Sequence, residues 1–410
     1  MPASTMQPNL DQLRGLTGIR ASALTRWQEN GWPDRKAESW RFTRLSAIEQ
    51  MDLRPVSMSN SAAVNLPANM PDDAVVLSFY NGVLNEAGLT ALPSGVVAKS
   101  LDGDDTTLAN FAELVPVDHP VSALSIAAMS SGLHLHIDGK ISTPIILAFG
   151  GDDNGVSTHP VIYVSMTDGS SAVLGEWHQS AVGLSAPLMA LDLGAKARLD
   201  YAKVQQDSSL TTHLAATGLR LGEAAVFDGF QISSGGKLSR LETHVALVGE
   251  TAECKLSAIY LGRNSQHHDI TTNMAHEKGH CNSNQIVRGV LDDRSRGVFQ
   301  GKVYVAPNAQ KTDGNQMSRA LLLSRKAEAD TKPELEIYAD DVLCAHGATI
   351  GELDETQLFY LTSRGIRPEI ARAMLIEAFL DDAIDGIGND KLASMLRPVV
   401  QAWMGGECKS

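Results

Sequence analysis

From Leu101 to Gly351 the sequence has almost no helical periodicity, and no other feature limits the fold as much. In its place stand short apolar or alternating runs broken by Gly, Asp, Asn and Ser. Glu253-Cys254-Lys255-Leu256-Ser257-Ala258 alternates with period two, as does Glu334-Leu335-Glu336-Ile337-Tyr338-Ala339, so both read as half-buried strands. Similar runs lie at 161–164, 188–193, 197–204, 224–232, 239–248, 298–305 and 341–345. Spaced roughly every 10 to 15 residues, they predict an all-β domain, either a sandwich or a stacked solenoid. The stretch is long for a sandwich. No clean internal repeat is visible, and the pattern leans towards a β-helix over two packed sandwiches.

Helical texture flanks this core, which gives three expected regions: a mainly helical N-terminal domain with a linker (1–100), the β core (101–351) and a helical C-terminal domain (352–410). Leu10, Leu13, Leu16, Ile19, Ala23 and Trp27 fall on one helical stripe that Gly31 ends, and Met51 to Asp73 reads as a loop or linker. At the other end Thr356 to Ser363 predicts a short helix stopped at Gly365, and Pro368 opens a longer one carrying Ile370, Ala373, Met374, Glu377, Ala378 and Phe379. A last helical segment, Asp390 to Met404, contains Pro398. So small an appendage must pack on the β core or present a face to another protein.

With 48 acidic residues against 34 Lys plus Arg, a net charge of -14 argues against nucleic acid as a partner. The N-terminal residues do not read as a secretory signal, and no stretch is long and apolar enough to cross a bilayer, so no membrane partner is expected. Cys254, Cys281, Cys344 and Cys408 form no Cys-x-x-Cys pair, which fits a reducing cytoplasm.

His276-Glu277-Lys278-Gly279-His280 matches the His-Glu-x-x-His pattern of zinc peptidases, a chemistry that needs a helix to bring both imidazoles to one metal. Ile270-Thr271-Thr272 upstream, Gly279 within and Cys281-Asn282-Ser283-Asn284 downstream predict strand-turn-strand instead. His267-His268 and His134-x-His136 supply only two ligands each. No phosphate-binding loop, dinucleotide fingerprint or Gly-x-Ser-x-Gly elbow occurs, so no nucleotide site is expected. Cys344-Ala345-His346, placed at the end of a strand running from Tyr338 to Leu343, puts a thiol and an imidazole on one side of an extended backbone, as half of a site for a soft metal such as iron or zinc. Another subunit can complete such a site.

The stretch from Leu291 to Ile366 resembles the SufB/SufD family of iron-sulfur cluster assembly proteins. The residues that carry the resemblance are Arg294-Ser295-Arg296-Gly297-Val298-Phe299-Gln300-Gly301, Ala309-Gln310-Lys311-Thr312-Asp313-Gly314, Lys332-Pro333-Glu334-Leu335-Glu336-Ile337-Tyr338-Ala339-Asp340-Asp341-Val342 and Cys344-Ala345-His346-Gly347-Ala348-Thr349-Ile350-Gly351. It continues through Gln357-Leu358-Phe359-Tyr360-Leu361 and Ser363-Arg364-Gly365-Ile366, and Arg35-Lys36-Ala37-Glu38-Ser39-Trp40-Arg41-Phe42 looks like a segment of SufD N-termini. Gly347 after His346, where SufB has Glu, makes SufD the closer match. The resemblance implies a right-handed parallel β-helix between helical domains. It implies a non-enzymatic scaffold subunit of a complex with SufB and the ATPase SufC, and an iron-sulfur cluster held transiently at the SufB interface by His346, with Cys344 nearby. A homodimer is kept open for the isolated chain. A zinc metallopeptidase using His276, Glu277 and His280, and a free-standing β-solenoid binding module, are the alternatives.

Overall fold

A computed structural model describes residues 13, 15–33, 36–45, 48, 54–55, 64–67, 69–116, 119–153 and 155–405. Its long strands are β1 (Val75–Tyr80), β2 (Ser131–Ile137), β3 (Ile145–Gly151), β4 (Pro160–Met166), β5 (Ser171–Ser180), β6 (Leu188–Leu193), β7 (Arg198–Gln205) and β8 (Thr212–Leu221). They continue as β9 (Val226–Ser233), β10 (Leu238–Leu247), β11 (Glu253–Gly262), β12 (His267–His276), β13 (Asn282–Leu291), β14 (Arg296–Val305), β15 (Asp313–Leu322), β16 (Glu328–Ile337) and β17 (Leu343–Glu352). Even-numbered strands form one sheet and odd-numbered strands the other, each stacked in chain order on its parallel neighbour. The chain thus changes sheet at every corner and builds a β-solenoid of about 8 turns, as the texture of residues 101–351 predicts. Strand β1 precedes that stretch and still joins the odd sheet, beside β3.

The repeat is carried by backbone geometry. Lys196, Ala224, Thr251, His280 and Lys311 all take positive φ, between 52° and 62°, at equivalent corners. Each donates its N–H to a carbonyl of the next turn, as in Ala224 to Glu250 (2.8 Å) and His280 to Gln310 (2.8 Å). Side chains here are unrelated, which is why no sequence repeat shows. The left-handed conformation costs a non-glycine residue about 1 kcal/mol, which the corner bond offsets.

Alternate residues of both sheets fill the interior with Leu, Val, Ile, Phe and Tyr, from Leu77 and Phe79 to Met274 and Val303. Helices cover the outside. Helix α1 (Gly18–Asn30) ends at Gly31 as expected but starts eight residues after Leu10: Leu13 and Leu16 precede it, Leu10 lies outside the described residues, and Gly15 and Gly18 with positive φ break the stripe. Helices α2 (Asp105–Leu114) and α3 (Pro120–Ala127) pack Leu108, Phe111 and Ile126 against Val161, Tyr163 and Leu188 of the even sheet. Beyond them Trp40 is buried under the Arg240 guanidinium, 4.1 Å from its ring. The Ser39 carbonyl accepts from Arg240 (3.0 Å) and Gln300 (3.2 Å), and Glu38 pairs with Lys332 (2.7 Å). The described part of the 35–42 segment is therefore a strap across β10, β14 and β16.

Helices α4 (Glu355–Ser363), α5 (Pro368–Ile384) and α6 (Asp390–Gly405) follow the last strand. Ile376, Leu380, Leu392, Leu396 and Val400 pack on Val204, Phe230, Ile259 and Leu261 of the odd sheet. No described helix is long and apolar enough to cross a membrane.

Candidate functional site

The Cys344–His346 pair opens strand β17; it does not close a strand from Tyr338 to Leu343. Strand β16 stops at Ile337 and residues 338–342 turn the corner, because Lys311, in the left-handed conformation, draws the Asp341 carbonyl to its N–H at 2.6 Å. Strand β17 pairs with β15 in parallel register, Gly314 beside Cys344 and Gln316 beside His346. Gly314, Gln316, Ser318 and Ala320 are the buried, inward alternates of β15. Cys344 and His346 therefore point into the bore of the solenoid from its final turn.

Among the described residues no strand covers the far edge of β17. Its residues are exposed or half-buried, His346 among the exposed. Cys344 is half-buried above Gly314, where a Cβ would lie 3.3 Å from its Sγ. Burial pushes its thiol up, and Asp313 adds to the shift. A Cβ at Gly347 would sit 2.9 Å from the terminal methyl of Met317, a flexible end that can shift aside. Around the rim Leu343 is 73% exposed and Tyr338 61%. An unpaired strand edge with apolar neighbours is the surface a solitary protein normally protects.

The other sequence candidates are structural. His276 ends β12 and points inward, its Nε2 2.8 Å from Ser283 Oγ; burial pushes its pKa down to about 4. His280 is an exposed corner residue. The two are joined by a turn, so the helical geometry of a zinc peptidase is absent. His268 points inward to Ser233 Oγ (2.8 Å) and His267 outward to Thr43 Oγ1 (3.0 Å), while His134 and His136 both reach Ser165 Oγ, at 2.8 and 3.0 Å. Among the described residues no three His, Cys, Asp or Glu side chains gather as a metal site. Cys408 lies outside them.

Sequence reading missed two buried ionic clusters. Inside the bore, Glu176 meets Lys203 (3.3 Å), His178 (2.8 Å) and the Tyr201 hydroxyl. Burial alone would raise the carboxyl, but Lys203 and His178 hold it down to about 2. Outside, Arg240 joins Glu242 and Asp269 (2.7 Å each) beneath the strap. The signal was present as Glu176-x-His178 and Arg240-x-Glu242-x-His244, polar residues repeating with period two inside strands.

Residues 149–379 match the family described as SUF system FeS cluster assembly, SufBD core domain. The chain is 30% identical over 371 residues to the iron-sulfur cluster assembly protein SufD of Escherichia coli (strain K12), covering 88% of this chain and 87% of the relative. An iron-sulfur cluster assembly SufBD family protein of Synechocystis is 29% identical over 395 residues, 90% of this chain and 86% of its own. The SufD protein of Bacillus subtilis (strain 168) is 27% identical over 294 residues, 69% and 67% of the two chains.

Proposed function

Because the chain belongs to the SufB/SufD family of iron-sulfur cluster assembly proteins, and within it is most like SufD, we propose that it acts in the cytoplasm as the scaffold subunit that pairs with SufB and binds the ATPase SufC. The nascent cluster is the cargo of this complex, and His346, with Cys344 beside it, faces that cargo from the open end of the solenoid. The observation that carries the reading is the placement of a thiol and an imidazole on the inward face of a terminal strand whose far edge, among the described residues, is uncovered and rimmed by apolar side chains. Two protein groups do not complete a four-ligand iron site, so the remaining ligands come from the chain that covers the edge.

The SufC contact is assigned to α4 and the first turns of α5. Helix α4 buries no side chain, and Phe359 (73%) and Tyr360 (56%) stand exposed with Ile370 and Met374. The second half of α5 and all of α6 serve the core instead. ATP chemistry belongs to SufC, since this sequence has no phosphate-binding loop.

The test is co-expression of the chain with SufB and SufC, followed by size exclusion and iron and sulfide analysis. His346→Ala is expected to leave the complex assembled and reduce its cluster content about tenfold or more. Full cluster content in that variant would overturn the site, and loss of no SufC from Phe359→Ser/Tyr360→Ser would move the ATPase contact elsewhere.

A further inference from the structure

Gln316 lies in the register position directly beneath His346, on the inward face of the neighbouring strand. It is 2% exposed, and neither its Nε2 nor its Oε1 has a hydrogen-bond partner. A buried carboxamide without partners is unusual, because burial removes water contacts that nothing replaces.

The earlier turns show how this solenoid ordinarily treats such a group. Thr217, Thr243 and Thr272 occupy one inward column of the even sheet. Each meets the polar side chain that reaches across the bore. Lys203 Nζ lies 3.5 Å from Thr217 Oγ1, Gln231 Nε2 donates to Thr243 Oγ1 at 3.0 Å, and Thr272 Oγ1 donates to Gln285 Oε1 at 2.6 Å. At the next turn the column position is Gly301. A Cβ there would sit 2.1 Å from Gln316 Nε2, so the glycine makes room for the carboxamide and at the same time removes the hydroxyl that would satisfy it. The exchange of threonine for glycine happens only at the turn below the open end.

We propose that Gln316 is a positioning residue for His346. With the end of the solenoid covered by a partner, the Gln316 Oε1 accepts a hydrogen bond from one imidazole N–H of His346. That bond selects the tautomer and turns the other, unprotonated nitrogen towards the cargo. The strands are about 4.8 Å apart, within reach of a rotated glutamine side chain. The inference rests on His346 being the group that faces the cluster.

The experiment uses the full chain co-expressed with SufB and SufC. Gln316→Leu keeps the volume and removes both unpartnered atoms, so the isolated chain is expected to melt at the same temperature or higher while cluster content in the complex falls about fivefold or more. Gln316→Glu, which retains an acceptor, is expected to restore most of that loss. The His346→Ala/Gln316→Leu double variant is expected to match His346→Ala alone. A lowered melting temperature for Gln316→Leu would make the residue structural and overturn the inference, as would full cluster content in that variant, no rescue by Glu, or a double variant worse than His346→Ala. Full cluster content in His346→Ala would instead overturn the reading of the site beneath it.

Discussion

Cys254 and Cys344 occupy the same inward column of the odd sheet, joined through Ser283 and Gly314. The strand pattern that points one into the bore points the other the same way. Yet Cys254 is 2% exposed and burial drives its thiol far above the usual range, whereas Cys344 is half-buried and raised less. The histidines divide similarly: His268 and His276 are closed in by the turns above them, and among the described residues His346 has none above it. Chemical availability in this fold is set by position along the solenoid axis. The same residue types are packing in a middle turn and a half-built site in the last one.

The largest effect that would sharpen this contrast is acid sensitivity of the middle turns. Burial pushes His159 and His268 down to about 3, and His178, His267 and His276 down to about 4, from 6.5 in the open chain. Below pH 6.5 the unfolded chain takes up protons that the folded chain refuses, so stability is fully present above that pH and is lost as pH falls towards 4. At pH 5 the loss is on the order of 2 kcal/mol for each histidine. The melting temperature of the isolated chain is expected to fall steeply between pH 6.5 and 5. A flat profile would mean that the middle turns admit water or protons as freely as the end.

A smaller effect comes from opening the ionic cluster in the bore. Lys203→Ala leaves Glu176 buried without its main countercharge, and breaking a buried pair in this way costs roughly 3–5 kcal/mol. Tyr201 and His178 remain as hydrogen-bond partners, which favours the lower end. Urea denaturation measures it. Joint replacement, Glu176→Leu with Lys203→Met, is expected to recover most of the loss, since neither charge is then stranded. A loss under about 1 kcal/mol for the single change would place the cluster in a far more polar interior.

These residues also mark where the sequence is legible. The strand runs up to Val305, the corner at His276–His280, Gly31 and Gly365 with positive φ, and Pro368 at the start of α5 follow from local chemistry and stand in the structure as read, whereas the runs at 334–339 and 341–345 both overrun into the corner at 338–342. Glu176 and Lys203 escaped because a charged side chain in a strand normally signals an outward position, and Arg240 and Glu242, which do point outward, because an outward position normally means solvent. Only the neighbouring strand, where Lys203 lies in register beside Glu176, and the strap over Arg240 show that these charges are paired and buried. The start of β17 was misplaced for a similar reason. The apolar alternation through Tyr338 continues past Ile337, and the corner is imposed by Lys311 on the preceding turn. The orientation of Cys344 and His346 was readable from their spacing, whereas their position at an uncovered end depends on how many turns precede them.

The smallest expected effect is the most direct measure of the contrast. His276→Ala removes a buried ring and leaves Ser283 Oγ without its partner at 2.8 Å. A cavity and an unsatisfied hydroxyl together cost about 2–4 kcal/mol. His346→Ala removes an exposed ring with no turn packed above it, so the change stays within about 0.5 kcal/mol, as for an ordinary surface position. Both can be measured side by side by urea denaturation of the isolated chain at pH 7.5, where the buried histidines are neutral and proton uptake does not blur the comparison. A cost above 1 kcal/mol for His346→Ala would show that its ring is already packed within the single chain. The end of the solenoid would then be closed before any partner arrives, and the imidazole would belong with His268 and His276 as part of the core.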